Sequence, residues 1–107
     1  MKNLGNLMKQ AAQMQERMTE LQARMAETEV TGASGGGMVR VTVNGKGETR
    51  RVAIDPVLIK PEEAGVLEDL VTAACNDARA KAEALMQAEM QKLTGGLNLP
   101  PGMKLPF

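Results

Sequence analysis

Apolar residues recur along the first quarter of the chain at alternating spacings of three and four positions. They occupy the a and d positions of a heptad pattern and are Leu4, Leu7, Ala11, Met14, Met18, Leu21 and Met25. This spacing lines one side of an α-helix, and we expect a helix over residues 3–26. At 1.5 Å per residue this helix would be about 36 Å long, which is longer than a compact domain of this size needs. The pattern therefore predicts a projecting helix whose apolar seam a single copy of the chain does not bury alone.

After Met25 the period changes to the alternation that is typical of β-strands. Residues 29–34 form a short predicted strand that enters the glycine cluster Gly35–Gly37, which we expect to connect a hairpin. Residues 38–43 give the clearest strand, because apolar and polar side chains alternate without interruption. The apolar positions of this strand are Val39, Val41 and Val43.

The next segment predicts a hairpin turn and a third strand. Residues 44–47 contain Asn and Gly, which tolerate positive φ, and residues 48–54 return with Val52 and Ile54 on one face. Pro56 then ends the sheet, because proline donates no ladder hydrogen bond. The three strands are expected to form an antiparallel meander.

A second helix is predicted over residues 61–93, and it begins with proline followed by two acids. Many of its apolar positions are alanines, which permit close approach of another backbone. The sequence therefore predicts an α+β fold of the order α-β-β-β-α, with a single domain over residues 1–94. The remaining residues, 95–107, form a tail rich in glycine and proline.

The composition argues against catalysis. The 107 residues include no histidine, no tyrosine and a single cysteine, Cys75, whereas acid–base and nucleophilic catalysis rely on such groups. One cysteine forms neither a disulfide within the chain nor a multi-cysteine metal site. We therefore expect no enzyme, metal site, cofactor or small-molecule substrate. No apolar run approaches the ~20 residues of a membrane span, which predicts an intracellular protein with no membrane partner.

Thirteen basic and thirteen acidic side chains balance over the chain, but four cations share one side of the first helix. They are Lys2, Lys9, Arg17 and Arg24, and they recur every seven or eight positions. This stripe lies roughly 120° around the helix from the apolar seam, and it can neutralise a row of phosphates on duplex DNA. Because Glu16 and Glu20 interrupt the stripe, an ordinary solvated face explains the same residues equally well.

The near absence of aromatic side chains disfavours single-stranded nucleic acid, since its recognition depends on base stacking. Duplex DNA remains compatible with cations on a helix. The nine methionines support a second hypothesis, in which the heptad seam engages a protein partner and DNA contact is incidental. The residues by themselves leave both hypotheses open.

Several segments, in this order along the chain, carry the likeness to a known family. They are Gly36 to Gly45, Val52 to Pro56, Leu67 to Ala78, and the tail from Gly95 to Met103. Together they resemble the YbaB/EbfC family of bacterial nucleoid-associated proteins. The resemblance implies an α-β-β-β-α subunit that forms a homodimer through its central part, with projecting helical arms that grip duplex DNA.

The resemblance also implies where DNA is bound. It places the contacts on basic residues of the projecting helices, which match Lys2, Lys9, Arg17 and Arg24, with Arg79, Lys81 and Lys92 as secondary candidates. The expected dimer and core seam consists of Leu7, Met14, Met18, Leu21, Met25, Val39, Val41 and Val43. We accordingly expect a cytoplasmic, nucleoid-located homodimer that binds DNA with little sequence specificity and affects nucleoid organisation and gene expression.

Overall fold

The computed structural model describes residues 2–95. The elements are helix α1 (Lys2–Glu27), strands β1 (Glu29–Ser34), β2 (Val39–Asn44) and β3 (Thr49–Ile54), and helix α2 (Ala64–Gly95). Short 3-10 turns lie between them, at Gly35–Gly37, Pro56–Leu58 and Pro61–Glu63. This order confirms the predicted α-β-β-β-α fold. Gly95, the first residue of the predicted tail, is the last residue of α2, and the rest of the tail, residues 96–107, lies outside the described residues.

The three strands form one antiparallel sheet in the order β1-β2-β3, which confirms the predicted meander. Thr31 pairs with Thr42 across β1 and β2, and Val41 pairs with Val52 across β2 and β3. A register shift between Thr42 and Val43 marks a bulge opposite β3, so the inward and outward positions of the two strands are offset beyond it.

The glycine cluster forms the predicted connection between β1 and β2. Gly35, Gly36 and Gly37 have φ values of 59°, 67° and 93°, which L side chains adopt at a steric cost. The second hairpin uses its glycines differently from the prediction. Gly47 has a φ of 88°, whereas Gly45 is not among the positive-φ glycines; a Cβ there would lie 2.9 Å from the carbonyl oxygen of Met25. Gly45 therefore serves close packing against α1.

The core lies between α2 and one face of β1 and β2. The predicted seam valines of β2 are all buried, and they pack against small residues on α2. The two sets are Val39, Val41 and Val43, and Ala74, Ala78 and Ala82. Short alanine side chains let the helix approach the sheet closely, which is why this core holds together without aromatic residues.

Strand β3 receives less cover than the sequence pattern predicts. Val52 and Ile54 share a face, as expected, but Val52 is 48% exposed and Ile54 is half-buried. The reason is the path of α2, which crosses β1 and β2 and leaves β3 at its side. The alternation of a strand shows which residues share a face, whereas it does not show whether another element covers that face.

Helix α1 projects from the sheet, as its length predicts. Its seam is buried only near the sheet, at Leu21 and Met25, while Met14 and Met18 are half-buried and Leu7 is 59% exposed. The radius of gyration is 19.9 Å and the longest dimension is 73 Å, whereas a compact domain of this length has a radius of gyration of about 13 Å. The two helices thus extend the molecule well beyond its core.

A buried asparagine fastens the C-terminal end of α1 to the second hairpin. The Asn44 Nδ2 donates to the carbonyl oxygen of Ala26 at 3.1 Å and to the Glu48 carboxylate at 2.7 Å, and its Oδ1 accepts from the backbone N–H groups of Lys46 and Glu48. Arg50 donates to the same Ala26 carbonyl at 2.9 Å. These bonds satisfy the free carbonyl at the end of the helix, and they set the direction in which α1 leaves the sheet.

Candidate nucleic-acid interface

A cleft between α1 and α2 brings together basic residues that lie far apart in the sequence. Arg17 and Arg24 come from α1, and Lys92 comes from the last turn of α2. Leu21 and Leu93 form the apolar part of the cleft, and Glu20 and Glu89 are its acidic members. We call this set of seven residues the basic cleft.

The helical repeat explains how the cleft forms. Arg17 and Arg24 are seven positions apart, which is close to two full turns, so both lie on the same flank of the buried Leu21. Arg24 contacts Glu89, and Arg17 shares the cleft with Lys92 further along α2. The helices therefore run antiparallel where they meet, and their facing flanks alternate in charge.

Glu89 takes part in two ion pairs in the basic cleft, one with Arg24 across the cleft and one with Lys92 on its own helix. Its carboxylate lies 2.8 Å from the Arg24 Nη2 and 3.7 Å from the Lys92 Nζ. The Arg24 and Lys92 side chains are 60% and 75% exposed, whereas the Glu89 side chain is 18% exposed. Because both cations are more than half exposed, another anion can reach them from solvent.

The other predicted DNA contacts occupy different surroundings. Lys9 is exposed on the projecting part of α1, and the side chain of Lys2 lies outside the described residues. Arg79 lines a separate groove beside the second hairpin, together with Lys46 and Glu83. The structure therefore groups Arg17, Arg24 and Lys92 in one place and leaves Lys9 and Arg79 apart from them.

Lys81 makes contacts that hold α2 to the sheet. Its Nζ lies 3.1 Å from the Asp77 carboxylate and donates to the carbonyl oxygen of Thr31 at 3.1 Å. Asp77 in turn accepts from the backbone N–H of Ala33 at 2.9 Å. The Ala33 hydrogen bond, followed by that from Lys81, lowers the pKa of the Asp77 carboxyl below its usual value. This side-chain pair covers polar backbone groups of β1 and favours a structural role for Lys81.

The arginines of the strands also form hydrogen bonds or ion pairs with other parts of the chain. Arg50 contacts the end of α1, Arg51 forms an ion pair with Glu29 at 3.0 Å, and Arg40 donates to the carbonyl oxygen of Gly37. Through these contacts the strand arginines connect the sheet to α1, to β1 and to the glycine connection. The exposed cations that remain available to a ligand are concentrated on the two helices.

The sequence pattern missed two residues that shape this region. Glu89 precedes Lys92 by three positions, a spacing that indicates a local ion pair, but its contact with Arg24 spans 65 positions. Asn44 carries only the signal of a turn residue, although it is fully buried in the structure. Both roles depend on contacts between distant segments.

Within residues 2–95, no cluster of three or more histidine, cysteine, aspartate or glutamate side chains could hold a metal ion. Over the same range no helix is long and apolar enough to span a membrane.

Comparison with known proteins agrees with this architecture. The family model described as the YbaB/EbfC DNA-binding family matches residues 1–97. Nucleoid-associated protein amb4104 of Paramagnetospirillum magneticum is 68% identical over 107 residues, and nucleoid-associated protein GbCGDNIH1_0260 of Granulibacter bethesdensis is 60% identical, each over the full length of both chains. The crystal structure of the uncharacterized protein HP0035 from Helicobacter pylori superposes with a TM-score of 0.73 at 28% identity, over 89% of this chain and 97% of that one.

Proposed function

The chain belongs to the YbaB/EbfC DNA-binding family, and on that premise we propose that it binds duplex DNA as a homodimer through the cationic flanks of its helical arms. The basic cleft is the observation that carries the proposal, because it joins Arg17, Arg24 and Lys92 from two helices in one exposed place. Lys9 extends the same charge along α1. Cations spaced along an extended arm suit the regular charge of a DNA backbone.

The same features support binding with little sequence specificity. Phosphate contacts position a protein on DNA but carry no sequence information directly. The arm offers flexible cations, and base stacking would need aromatic side chains, of which the chain has one, Phe107. The names of the relatives support a role in the nucleoid, within the cytoplasm, with effects on nucleoid organisation and gene expression and without catalysis.

The exposed apolar surface beside β3 supports the homodimer. Val52, Val57, Ile59 and Val66 are each between 48% and 61% exposed, and they lie on β3, on the segment that follows it and at the start of α2. At the opposite edge of the sheet, Asp77 and Lys81 already cover polar groups of β1. Burial of apolar surface drives association, so we infer that the second copy packs against the β3 side.

A salt-titrated binding experiment with a duplex of mixed sequence tests the proposal. If four to eight phosphates are contacted per dimer, log affinity should fall with log salt with a slope of about −4 to −7. The double variant Lys9→Glu/Arg17→Glu should bind more weakly and with a shallower slope. Neither residue forms an ion pair within residues 2–95, so the substitutions leave internal contacts in place.

The control is Arg40→Glu/Lys60→Glu, which changes the net charge by the same amount on the sheet and the connecting segment. Because Arg40 donates to the Gly37 carbonyl and Lys60 lies 3.9 Å from the Glu63 carboxylate, circular dichroism and sedimentation establish that this variant is folded and has the oligomeric state of wild type. This control should retain most of the affinity. Equal loss in both double variants would show that net charge alone matters, and a flat salt dependence would refute phosphate binding by the arms.

A protein-interaction module is the second candidate, and an apolar groove favours it. Met18, Leu21, Met86 and Met90 line this groove on α1 and α2, and methionine side chains adapt to varied partner surfaces. A stoichiometric protein partner in a pull-down, combined with no shift of duplex DNA at moderate salt, would support this candidate over DNA binding.

A further inference from the structure

The basic cleft contains its own anion at its centre. The Glu89 carboxylate contacts Arg24 on the facing helix at 2.8 Å and Lys92 on its own helix at 3.7 Å. Three cations and two carboxylates line the cleft, and Glu89 therefore competes directly for two of the three cations that a phosphate would use.

We propose that Glu89 is an affinity-limiting residue, which holds Arg24 and Lys92 in internal ion pairs and weakens the binding of DNA phosphates in the basic cleft. This inference rests on the proposed DNA-binding function and assigns an opposing role to one residue of the same site. The carboxylate acts in two ways, by pairing with the cations and by repelling a phosphate that approaches them.

The burial of Glu89 makes this competition effective. With a side chain only 18% exposed, the carboxylate is less free than an ordinary surface acid to turn toward water. If a phosphate replaced Glu89 as the partner of both cations, the partly buried Glu89 carboxylate would be left without a counter-ion, which is unfavourable. DNA binding at the cleft must therefore overcome both the existing pairs and the residual charge of Glu89.

Two other glutamates provide matched controls for the removal of one negative charge. Glu20 lines the same cleft but forms no ion pair within residues 2–95. Glu16 is exposed on α1 outside the cleft. Glu20→Gln measures the effect of removing a negative charge from the cleft, and Glu16→Gln measures the effect of the lower total charge. Any further gain in Glu89→Gln then comes from the release of the paired cations.

The experiment measures binding of the full chain and its variants to a fluorescent duplex over a series of salt concentrations. Circular dichroism and thermal unfolding establish that each variant is folded. Release of two exposed pairs should tighten binding by roughly fivefold in Glu89→Gln. The slope of log affinity against log salt should become steeper by about 1 to 2 for each cleft that contacts DNA.

The gain should be larger in Glu89→Gln than in either control, and it should disappear when Glu89→Gln is placed in an Arg24→Gln/Lys92→Gln background. A gain no larger than that of Glu20→Gln would overturn the proposal, because charge alone would then explain it. Weaker binding by Glu89→Gln would also overturn it, since Glu89 would then position the cations for DNA. If wild-type protein and every variant failed to bind duplex DNA at low salt, the proposed function itself would be refuted.

Discussion

Substitution of Gly32 by alanine tests the closest contact between the sheet and α2. A Cβ at this position of β1 would lie 2.5 Å from the Ala74 carbonyl oxygen and 2.6 Å from the Ala78 Cα. These neighbours are backbone atoms of a helix and no side-chain rotation can move them away. Because ordinary contacts of this kind are well above 3 Å, α2 and β1 would have to separate by about 1 Å.

The size of this displacement determines how far Gly32→Ala should lower the free energy of unfolding. A gap of about 1 Å removes a quarter to a half of the dispersion attraction across a contact surface. The surface concerned is the core itself, where Ala74 and Ala78 pack against Val41 with 0% exposure. Overpacked cores are usually destabilised by about 1 to 3 kcal/mol, and we expect Gly32→Ala to reach the upper end of this range.

The assay is equilibrium denaturation followed by circular dichroism, at a fixed protein concentration because association changes apparent stability. The matched control is Gly65→Ala in α2, where an added Cβ meets no atom within 4 Å. Alanine is the better helix former by about 1 kcal/mol, so this control should be neutral or stabilising. A free energy of unfolding for Gly32→Ala within about 0.5 kcal/mol of wild type would refute the close-packing argument.

Three further predictions concern other contacts. Asn44→Ala should lower the free energy of unfolding by about 2 to 4 kcal/mol, because the backbone N–H groups of Lys46 and Glu48 lose their acceptor and the Glu48 carboxylate loses a donor; denaturation measures this, and a loss below about 1 kcal/mol would contradict it. The pKa of Asp77 is lowered in the folded protein, so its carboxylate should stabilise the fold above about pH 4 and lose this effect as the pH falls further. Unfolding of wild type and Asp77→Asn at several pH values checks the sign, and an unchanged difference between the two proteins through the acidic range would count against it. Val52→Glu/Ile59→Glu should convert a dimer to monomers in analytical ultracentrifugation, whereas a variant that remains dimeric would exclude the β3 side as the interface.

The sequence by itself determined the elements of this protein and their order. The heptad spacing predicted α1 to within about one residue at each end, and the alternation of valines predicted β2 with its buried face. The proline at position 61 predicted the entry to the second helix, although residues 61–63 form a 3-10 turn before α2 begins at Ala64. These features follow from local periodicity and backbone preference, which a short segment contains in full.

Tertiary structure alone decided which of the predicted cations share a site. Arg24 and Glu89 lie 65 positions apart and on different helices, so the spacing of residues within one helix does not predict their contact. The same holds for Gly32, whose role appears only when α2 lies on β1, and for Val52, which remains exposed because α2 passes to one side. A pattern along the chain defines the faces of each element, but the partner of each face depends on how the elements pack. The basic cleft is therefore a product of the antiparallel arrangement of α1 and α2, built from residues whose charges the sequence had already placed on the appropriate helices.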